Sequence, residues 1–173
     1  GAGASPRVLY MATQGKALGV AGEFVAGPDG LVEWLLQKTR SYTYATAAPA
    51  LLAEAVRASL RCVLGADGEH RRQQLRARIA QLRTGLAPGA DGRIDAAGWT
   101  LMPSDTAIQP LVIGDNETAL SVMAALRDQG LWVPAIRPPT VPAGTARLRI
   151  ALSAAHDAAD VDTLLRALRM AAA

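Results

Sequence analysis

The sequence predicts an α/β chain in two parts: strands and helices in residues 1–68, then a small α+β unit with an antiparallel sheet in residues 69–173. Short apolar segments bounded by glycine alternate with stretches whose apolar residues recur at helical spacing. The run from Gly65 to Gly68 is the strongest break in the chain. From Trp99 onward the elements follow the order strand, strand, helix, strand, strand, helix, which is typical of a compact α+β domain.

The first part begins with two strands and a loop that carries a lysine. Val8–Ala12 and Gly22–Gly27 are apolar segments of strand length, and they flank this loop. Helical spacing then predicts one helix from Leu31 to about Arg40 and a buried second helix from Pro49 to Leu64. Because two strands and two helices cannot close a sheet, we expect this part to be an incomplete piece of a larger sheet domain in a longer parent chain.

The second part is predicted to contain three helices and four strands around one core, joined by a loop over residues 87–98. Asn116 and Asp157 are suitable N-caps, and Gly130 is a suitable C-cap. The predicted helices are Glu69–Leu86, Glu117–Gln129 and Ala158–Met170. The predicted strands are Trp99–Met102, Ile108–Ile113, Leu131–Ile136 and Thr145–Ser153. The last strand alternates apolar and polar residues, which predicts one buried and one outward face.

Composition argues against several kinds of site. Cys62 is the only cysteine, which excludes an internal disulfide and a multi-cysteine metal site. We expect Cys62 to be buried in a helix and the protein to be cytoplasmic, where thiols stay reduced. His70 and His156 have no partners at metal-ligand spacing, so we interpret both as structural and expect no metal. No apolar run approaches the roughly 18 residues that a membrane span needs, and we expect no membrane partner.

The helix predicted over residues 69–86 is rich in arginine. A basic amphipathic helix can bind nucleic acid, but no aromatic residue interleaves these arginines as a base-stacking surface would need. A solvated face with a packed apolar stripe is therefore the favoured interpretation, and we expect no nucleic-acid partner. The alternative is a non-catalytic, truncated module that dimerises or binds an acidic partner through this helix.

The segment Thr13-Gln14-Gly15-Lys16-Ala17-Leu18-Gly19 places one lysine between glycines on a tight loop. Glycine allows the backbone to approach a ligand closely. A lysine that loses its charge can form a Schiff base with a carbonyl cofactor. By itself the segment favours a solvated loop lysine, because loops with glycine and lysine are common.

Two further features could recognise a substrate. Arg147 and Arg149 are two residues apart on a predicted strand, so their side chains leave the same face. Paired arginines can bind a carboxylate through the guanidinium fork, although they also suit a surface strand with salt bridges. Thr140 lies just before this strand, in a loop that three prolines (Pro138, Pro139 and Pro142) keep out of regular structure.

Taken together, these segments resemble the α-oxoamine synthases, pyridoxal phosphate (PLP) enzymes of fold type I. The resemblance rests on the run Thr13–Gly19, on Tyr44–Pro49 and on Ala135–Arg149, which Ser153–His156 extends. It implies that residues 1–68 form the C-terminal part of the PLP-binding large domain. Residues 69–173 would form the small C-terminal domain.

The run Ala135–Arg149 is similar to the branch of the family that condenses L-alanine with a pimeloyl thioester in biotin biosynthesis. The thioester is carried by coenzyme A or by a carrier protein, and the reaction releases carbon dioxide and the free thiol. Sister reactions of glycine with acetyl-CoA or succinyl-CoA are the near alternative, and the run from Ile136 to Thr140 argues against them.

The resemblance also implies a role for each matching residue. Lys16 would hold PLP as a Schiff base and then act as a proton-transfer base, and Thr13 would bind the cofactor phosphate. Thr46 would reach the phosphate of the neighbouring subunit's cofactor, which implies a homodimer with shared sites. Arg149 would bind the amino-acid carboxylate, and Thr140 would contact the substrate.

The chain departs from the family pattern at Gln14, Glu23, Ala45 and Ala50. In the family, the aromatic group that stacks on the cofactor ring and the aspartate that pairs with the pyridine nitrogen lie upstream of the lysine. We therefore expect this chain to be the C-terminal portion of such an enzyme and to lack synthase activity by itself.

Overall fold

The structure is a computed structural model that describes Ser5, residues 7–90 and residues 92–172. The chain divides into two compact units, Gly1–Glu69 and His70–Ala173. Among the described residues, no helix combines the length and the apolar composition that crossing a bilayer requires.

The first unit contains a two-stranded hairpin and two complete helices. β1 (Tyr10–Thr13) pairs antiparallel with β2 (Glu23–Ala26), and Thr13 lies opposite Glu23. α1 (Asp29–Lys38) follows at once, and α2 (Ala50–Leu64) begins after Pro49. The predicted order of strand, lysine loop, strand, helix and helix is thus confirmed.

The burial expected for the second helix of this unit and for Cys62 is wrong. Neither α1 nor α2 contains a buried residue, and large side chains such as Met11 and Trp34 are exposed. Cys62, expected to be buried, is exposed on α2. Burial of a helix stripe needs a second layer against it, and none of the buried apolar residues of the described chain belongs to this unit.

The second unit is a four-stranded antiparallel sheet with helices packed on one face, as predicted. α3 (Ala66–Gly85) begins at the end of the first unit and enters the second. The sheet order is β3-β4-β6-β5. The remaining elements are α4 (Gly92–Ala96), β3 (Thr100–Leu101), β4 (Ile108–Gly114), α5 (Asn116–Asp128), β5 (Ala135–Ile136), β6 (Ala146–Ala151) and α6 (Ala158–Ala171).

The core of this unit lies between the helices and one face of β4 and β6. Leu111 of β4 lies opposite Leu148 of β6, and both are fully buried. Leu82, Leu126 and Leu168 bring α3, α5 and α6 onto the same cluster. Burying five leucine side chains contributes about 1.5–3 kcal/mol each before entropy is counted, so this layer is the main source of stability.

Several element ends differ from the predictions. Asp115, rather than Asn116, caps α5 by accepting a hydrogen bond from the Thr118 amide at 2.8 Å. Gln129 is the C-cap, and Gly130 follows it with φ 79°. The predicted strand Leu131–Ile136 shrinks to β5, because Pro134 has no N–H to continue the ladder.

The predicted loop over residues 87–98 is also partly wrong, since it contains the short helix α4. Its Ile94 is buried in the core. The alanine- and glycine-rich composition of this segment predicts a loop, whereas burial of Ile94 attaches α4 to the core.

Gln109 on β4 is a fully buried polar residue whose amide group is fully engaged. Its Oε1 accepts from Arg83 Nη1 at 2.8 Å, and its Nε2 donates to the carbonyls of Ser104 and Thr106. Arg83 also donates to the Met102 carbonyl at 3.1 Å. A single amide thus joins the last turn of α3 to the connection between β3 and β4.

Gln109→Leu keeps the side-chain size but leaves two carbonyls and part of a guanidinium without their partner. We expect the free energy of unfolding to fall by about 2–3 kcal/mol, the cost of unsatisfied buried polar groups. Urea unfolding followed by circular dichroism measures it. Gln73→Leu, at an exposed position of α3, is the control and should change stability by less than about 0.5 kcal/mol. Equal effects of the two substitutions would contradict the network.

Asp115 provides a pH-dependent element at the start of α5. The hydrogen bond from the Thr118 amide, followed by that from the Thr118 hydroxyl, lowers the pKa of Asp115 below its ordinary 3.8. Because the pKa is lower in the folded state than in the unfolded chain, the ionised carboxylate stabilises the folded state above about pH 3.8. This stabilisation is lost as the pH falls through the folded-state pKa.

Asp115→Asn keeps a capping side chain without the titration. We expect the loss of stability below pH 3.8 to be smaller in this variant than in the unsubstituted chain. Near pH 7 the free energy of unfolding should change with pH to nearly the same extent in both proteins. Urea unfolding at pH 7, 5 and 3 measures the difference. Asp105→Asn, in an exposed loop, is the control. An unchanged acid limb in Asp115→Asn would disprove the assignment.

Candidate active site

The loop that carries Lys16 is shaped by backbone hydrogen bonds and by two glycines. The Gln14 amide donates to the Gly22 carbonyl at 2.8 Å, and the Val20 amide donates to the Gln14 carbonyl at 3.2 Å. Gly19 has φ 65° and Gly22 has φ 134°, conformations that residues with a Cβ rarely adopt. Gly19 and Gly22 therefore determine the path of the loop. The sequence motif had pointed to Gly15 and Gly19, so it found one of the two.

Thr13 and Lys16 lie together at this loop. Thr13 is the last residue of β1, and its Oγ1 lies 3.5 Å from the Nζ of Lys16. Lys16 is exposed, and among the described residues its amine makes no ion pair. A primary amine and a hydroxyl are thus presented side by side in an exposed loop, where an incoming carbonyl can reach the amine.

Ser59 is a residue of this site that the sequence did not reveal. Its hydroxyl donates to the Leu18 carbonyl at 2.8 Å, and this half-buried bond ties α2 to the lysine loop across 41 positions of sequence. A weak signal was available. Ser59 lies at helical spacing from Leu52, Val56 and Val63, so a hydroxyl interrupts the apolar stripe of α2.

Thr46 is not part of this arrangement. It lies in the irregular segment before α2, is exposed, and among the described residues forms no hydrogen bond with Thr13 or Lys16. Nearby Tyr44 is fully exposed and has φ 65°, which is uncommon for a residue other than glycine.

The second unit gives different surroundings to the two arginines that spacing alone left equivalent, of which the family resemblance selects Arg149. Both point away from the core on β6, as the alternation predicts. Arg147 is half-buried, and its guanidinium donates to the Thr145 carbonyl, the Thr145 hydroxyl and the Met102 sulfur. Arg149 is exposed, and its guanidinium makes no hydrogen bond among the described residues. Of the pair, only Arg149 presents its fork to a ligand.

Thr140 lies in the loop that joins β5 to β6. Its amide donates to the Arg137 carbonyl at 3.0 Å, and its side chain is exposed. Thr140 and Arg149 thus belong to one hairpin of the second unit, whereas Thr13, Lys16 and Thr46 belong to the first unit.

Residues 1–168 match the family described as aminotransferase class I and II. The chain belongs to that family. The curated 8-amino-7-oxononanoate synthase of Delftia acidovorans is 65% identical over 168 residues, which cover 97% of this chain and 40% of that protein. The resemblance to the α-oxoamine synthases is therefore confirmed, and the chain spans about 40% of the length of this relative.

Two solved structures support the fold. One is a variant of serine palmitoyltransferase from S. paucimobilis with bound PLP–myriocin aldimine, which matches with a TM-score of 0.71 and 28% identity. The match covers 94% of this chain and 39% of that protein. The 8-amino-7-oxononanoate synthase of Francisella tularensis has a TM-score of 0.72 and 23% identity, and covers 95% of this chain and 44% of its own. The fold type I prediction is thus confirmed.

Ser59→Ala removes the bond that ties α2 to the lysine loop. We expect the Gly19 and Val20 amides to exchange with solvent about fivefold faster, since one hydrogen bond contributes about 1 kcal/mol. Amide hydrogen exchange by NMR measures it. Ser41→Ala, in the exposed turn after α1, is the control and should leave both amides unchanged. Unchanged exchange in Ser59→Ala would mean that the hairpin holds the loop by itself.

Proposed function

We propose that this chain is the lysine-bearing portion of a PLP-dependent acyltransferase of biotin biosynthesis, an 8-amino-7-oxononanoate synthase acting in the cytoplasm. Such an enzyme joins L-alanine to a pimeloyl thioester and releases carbon dioxide and the free thiol. The observation that carries the proposal is the exposed amine of Lys16, which donates to the Thr13 hydroxyl at 3.5 Å. The 65% identity to a protein of that name adds to it.

The residues at the Lys16 loop suit PLP. An aldehyde requires an accessible primary amine, which Lys16 offers without a competing ion pair among the described residues. A phosphate requires hydrogen-bond donors, and the Thr13 hydroxyl is one. When bound, PLP supplies an electron sink for a carbanion next to nitrogen, while the protein supplies orientation and charge.

Each proposed residue would act through its own chemistry. The Nζ of Lys16 would bind the cofactor and, once released, carry a proton to or from the substrate carbon. The Arg149 guanidinium would hold the amino-acid carboxylate through two parallel N–H donors. The Thr140 hydroxyl would orient the substrate from the same hairpin. Residues 1–68 would be the end of the cofactor-binding domain and residues 69–173 the small domain.

Thr46 would act on a neighbouring subunit in a homodimer. Its exposure, and the absence of a hydrogen bond to Thr13 or Lys16 among the described residues, support a role outside its own Lys16 loop. A hydroxyl in an exposed, irregular segment can donate to the phosphate of a partner's cofactor.

The alternative of a non-catalytic module that binds an acidic partner through residues 69–86 is not favoured. Arg83 of this helix is engaged inside the second unit with Met102 and Gln109. Ile79 and Leu82 of the same helix are buried in the core. The helix is thus a structural member of the fold.

Incubation with PLP followed by borohydride reduction tests the cofactor site. We expect a PLP-sized mass on the peptide that contains Lys16, about tenfold more than on Lys38, which corresponds to about 1.4 kcal/mol of preferential binding. Lys38 is the only other lysine in the sequence and is exposed at the end of α1, so it is a built-in reference. Peptide mass spectrometry measures both.

Two variants complete this experiment. Lys16→Arg should lose the labelled peptide, and Lys38→Arg should keep it. Equal labelling of the two lysines at every PLP concentration would show that Lys16 is an ordinary solvated lysine and would overturn the proposal.

A further inference from the structure

Arg147 is tied into its surroundings by all three nitrogens of its guanidinium. Nε donates to the Thr145 carbonyl at 3.0 Å, and Nη2 donates to the Thr145 hydroxyl at 3.0 Å. Nη1 donates to the Met102 sulfur at 3.1 Å. A planar fork with three placed donors loses rotational freedom, so this side chain is fixed on the outward face of the sheet.

Thr145 extends this contact into the loop that carries Thr140. The Thr145 hydroxyl donates to the Pro142 carbonyl at 2.7 Å, and its amide donates to the same oxygen at 3.2 Å. Pro142 lies two residues after Thr140. Arg147 therefore holds the closing turn of that loop through one intermediate residue.

Met102, which accepts from Arg147, also connects Arg147 to the neighbourhood of Arg149 across the sheet. The Met102 amide donates to the Pro110 carbonyl, and Pro110 is the register partner of Arg149. Because residues two apart on a strand share a face, Arg147 and Arg149 lie on the same outward surface. Met102, Pro110 and Arg149 thus form one row across the sheet, and Arg147 lies in the next row.

We infer that Arg147 is a positioning residue, which with Thr145 and Met102 fixes the Thr140 loop relative to Arg149. This inference rests on the proposed function, in which Thr140 and Arg149 bind the amino-acid substrate. Arg147 does not touch the substrate. It holds the two groups that do at a constant separation, and its own fork is occupied, so the carboxylate goes to Arg149.

Amide exchange by NMR on the 173-residue chain tests the structural half without any cofactor. In Arg147→Lys, which keeps the charge but loses the fork, we expect the Thr140 and Thr145 amides to exchange about tenfold faster, as for the loss of one or two hydrogen bonds. Met102→Leu, which removes only the sulfur acceptor, should give a smaller effect in the same direction. Arg149→Lys should leave both amides unchanged. Unchanged exchange in Arg147→Lys would overturn the inference.

A titration with L-alanine tests the functional half. The Nε–Hε resonance of Arg149 should move with L-alanine and not with L-alaninamide, which lacks the carboxylate, whereas the Arg147 resonance should stay in place. In Arg147→Lys, about threefold more L-alanine should be needed for the same Arg149 shift, since residues in one network are energetically coupled. Ile150→Val is the control, because Ile150 lies on β6 with its side chain buried in the core. This variant should be less stable but should need the same amount of L-alanine for the Arg149 shift.

The outcomes separate the two claims. If L-alanine causes no Arg149 shift in the unsubstituted chain, the proposed role of Arg149 is contradicted. Faster amide exchange in Arg147→Lys would then show a purely structural role for Arg147, which contradicts the inference. An Arg149 shift that is identical in the parent chain and in Arg147→Lys would overturn the inference and leave the proposed function standing.

Discussion

The pleat of β6 is the constraint on which the second unit depends. Leu148 is fully buried and Ile150 nearly so, and the two fix the strand against the helices. Since side chains alternate, the same packing drives Arg147 and Arg149 onto the opposite face. A slip of one residue would bury two guanidinium groups and expose the core, so the register of this strand is strongly specified. The position of the candidate substrate residues therefore follows from hydrophobic packing.

A second constraint is polar and lies at the edge of this core. Gln109 is buried, and it is tolerated because every polar atom of its amide has a partner. Arg83 of this network donates to the main-chain carbonyl of Met102, and the sulfur of the same residue accepts from Arg147. The buried amide of Gln109 thus holds Arg83, and Arg83 holds the main chain at Met102. The Met102 sulfur contacts Arg147, so a contact on the outward face is connected to the interior.

The first unit is organised by short-range interactions. Backbone hydrogen bonds and two glycines with positive φ set the path of the Lys16 loop, and Thr13 meets Lys16 only three residues away. The bond from Ser59 to Leu18 is the long-range exception. Because this unit lacks a buried core of its own among the described residues, its loop geometry is less protected than the β5–β6 hairpin.

The sequence by itself determined the fold class, the order of the elements apart from α4, the alternation of β6 and the family, because periodicity, turn residues and motif spacing are local properties. It also found Thr13 beside Lys16, since both belong to one loop. Only the tertiary structure showed that the Arg147 guanidinium is bonded to Thr145 and Met102, brought Ser59 to the lysine loop and made Gln109 a buried junction. It also left α2 and Cys62 exposed against expectation. Which partner a side chain meets depends on segments distant in sequence, and no local pattern encodes that choice.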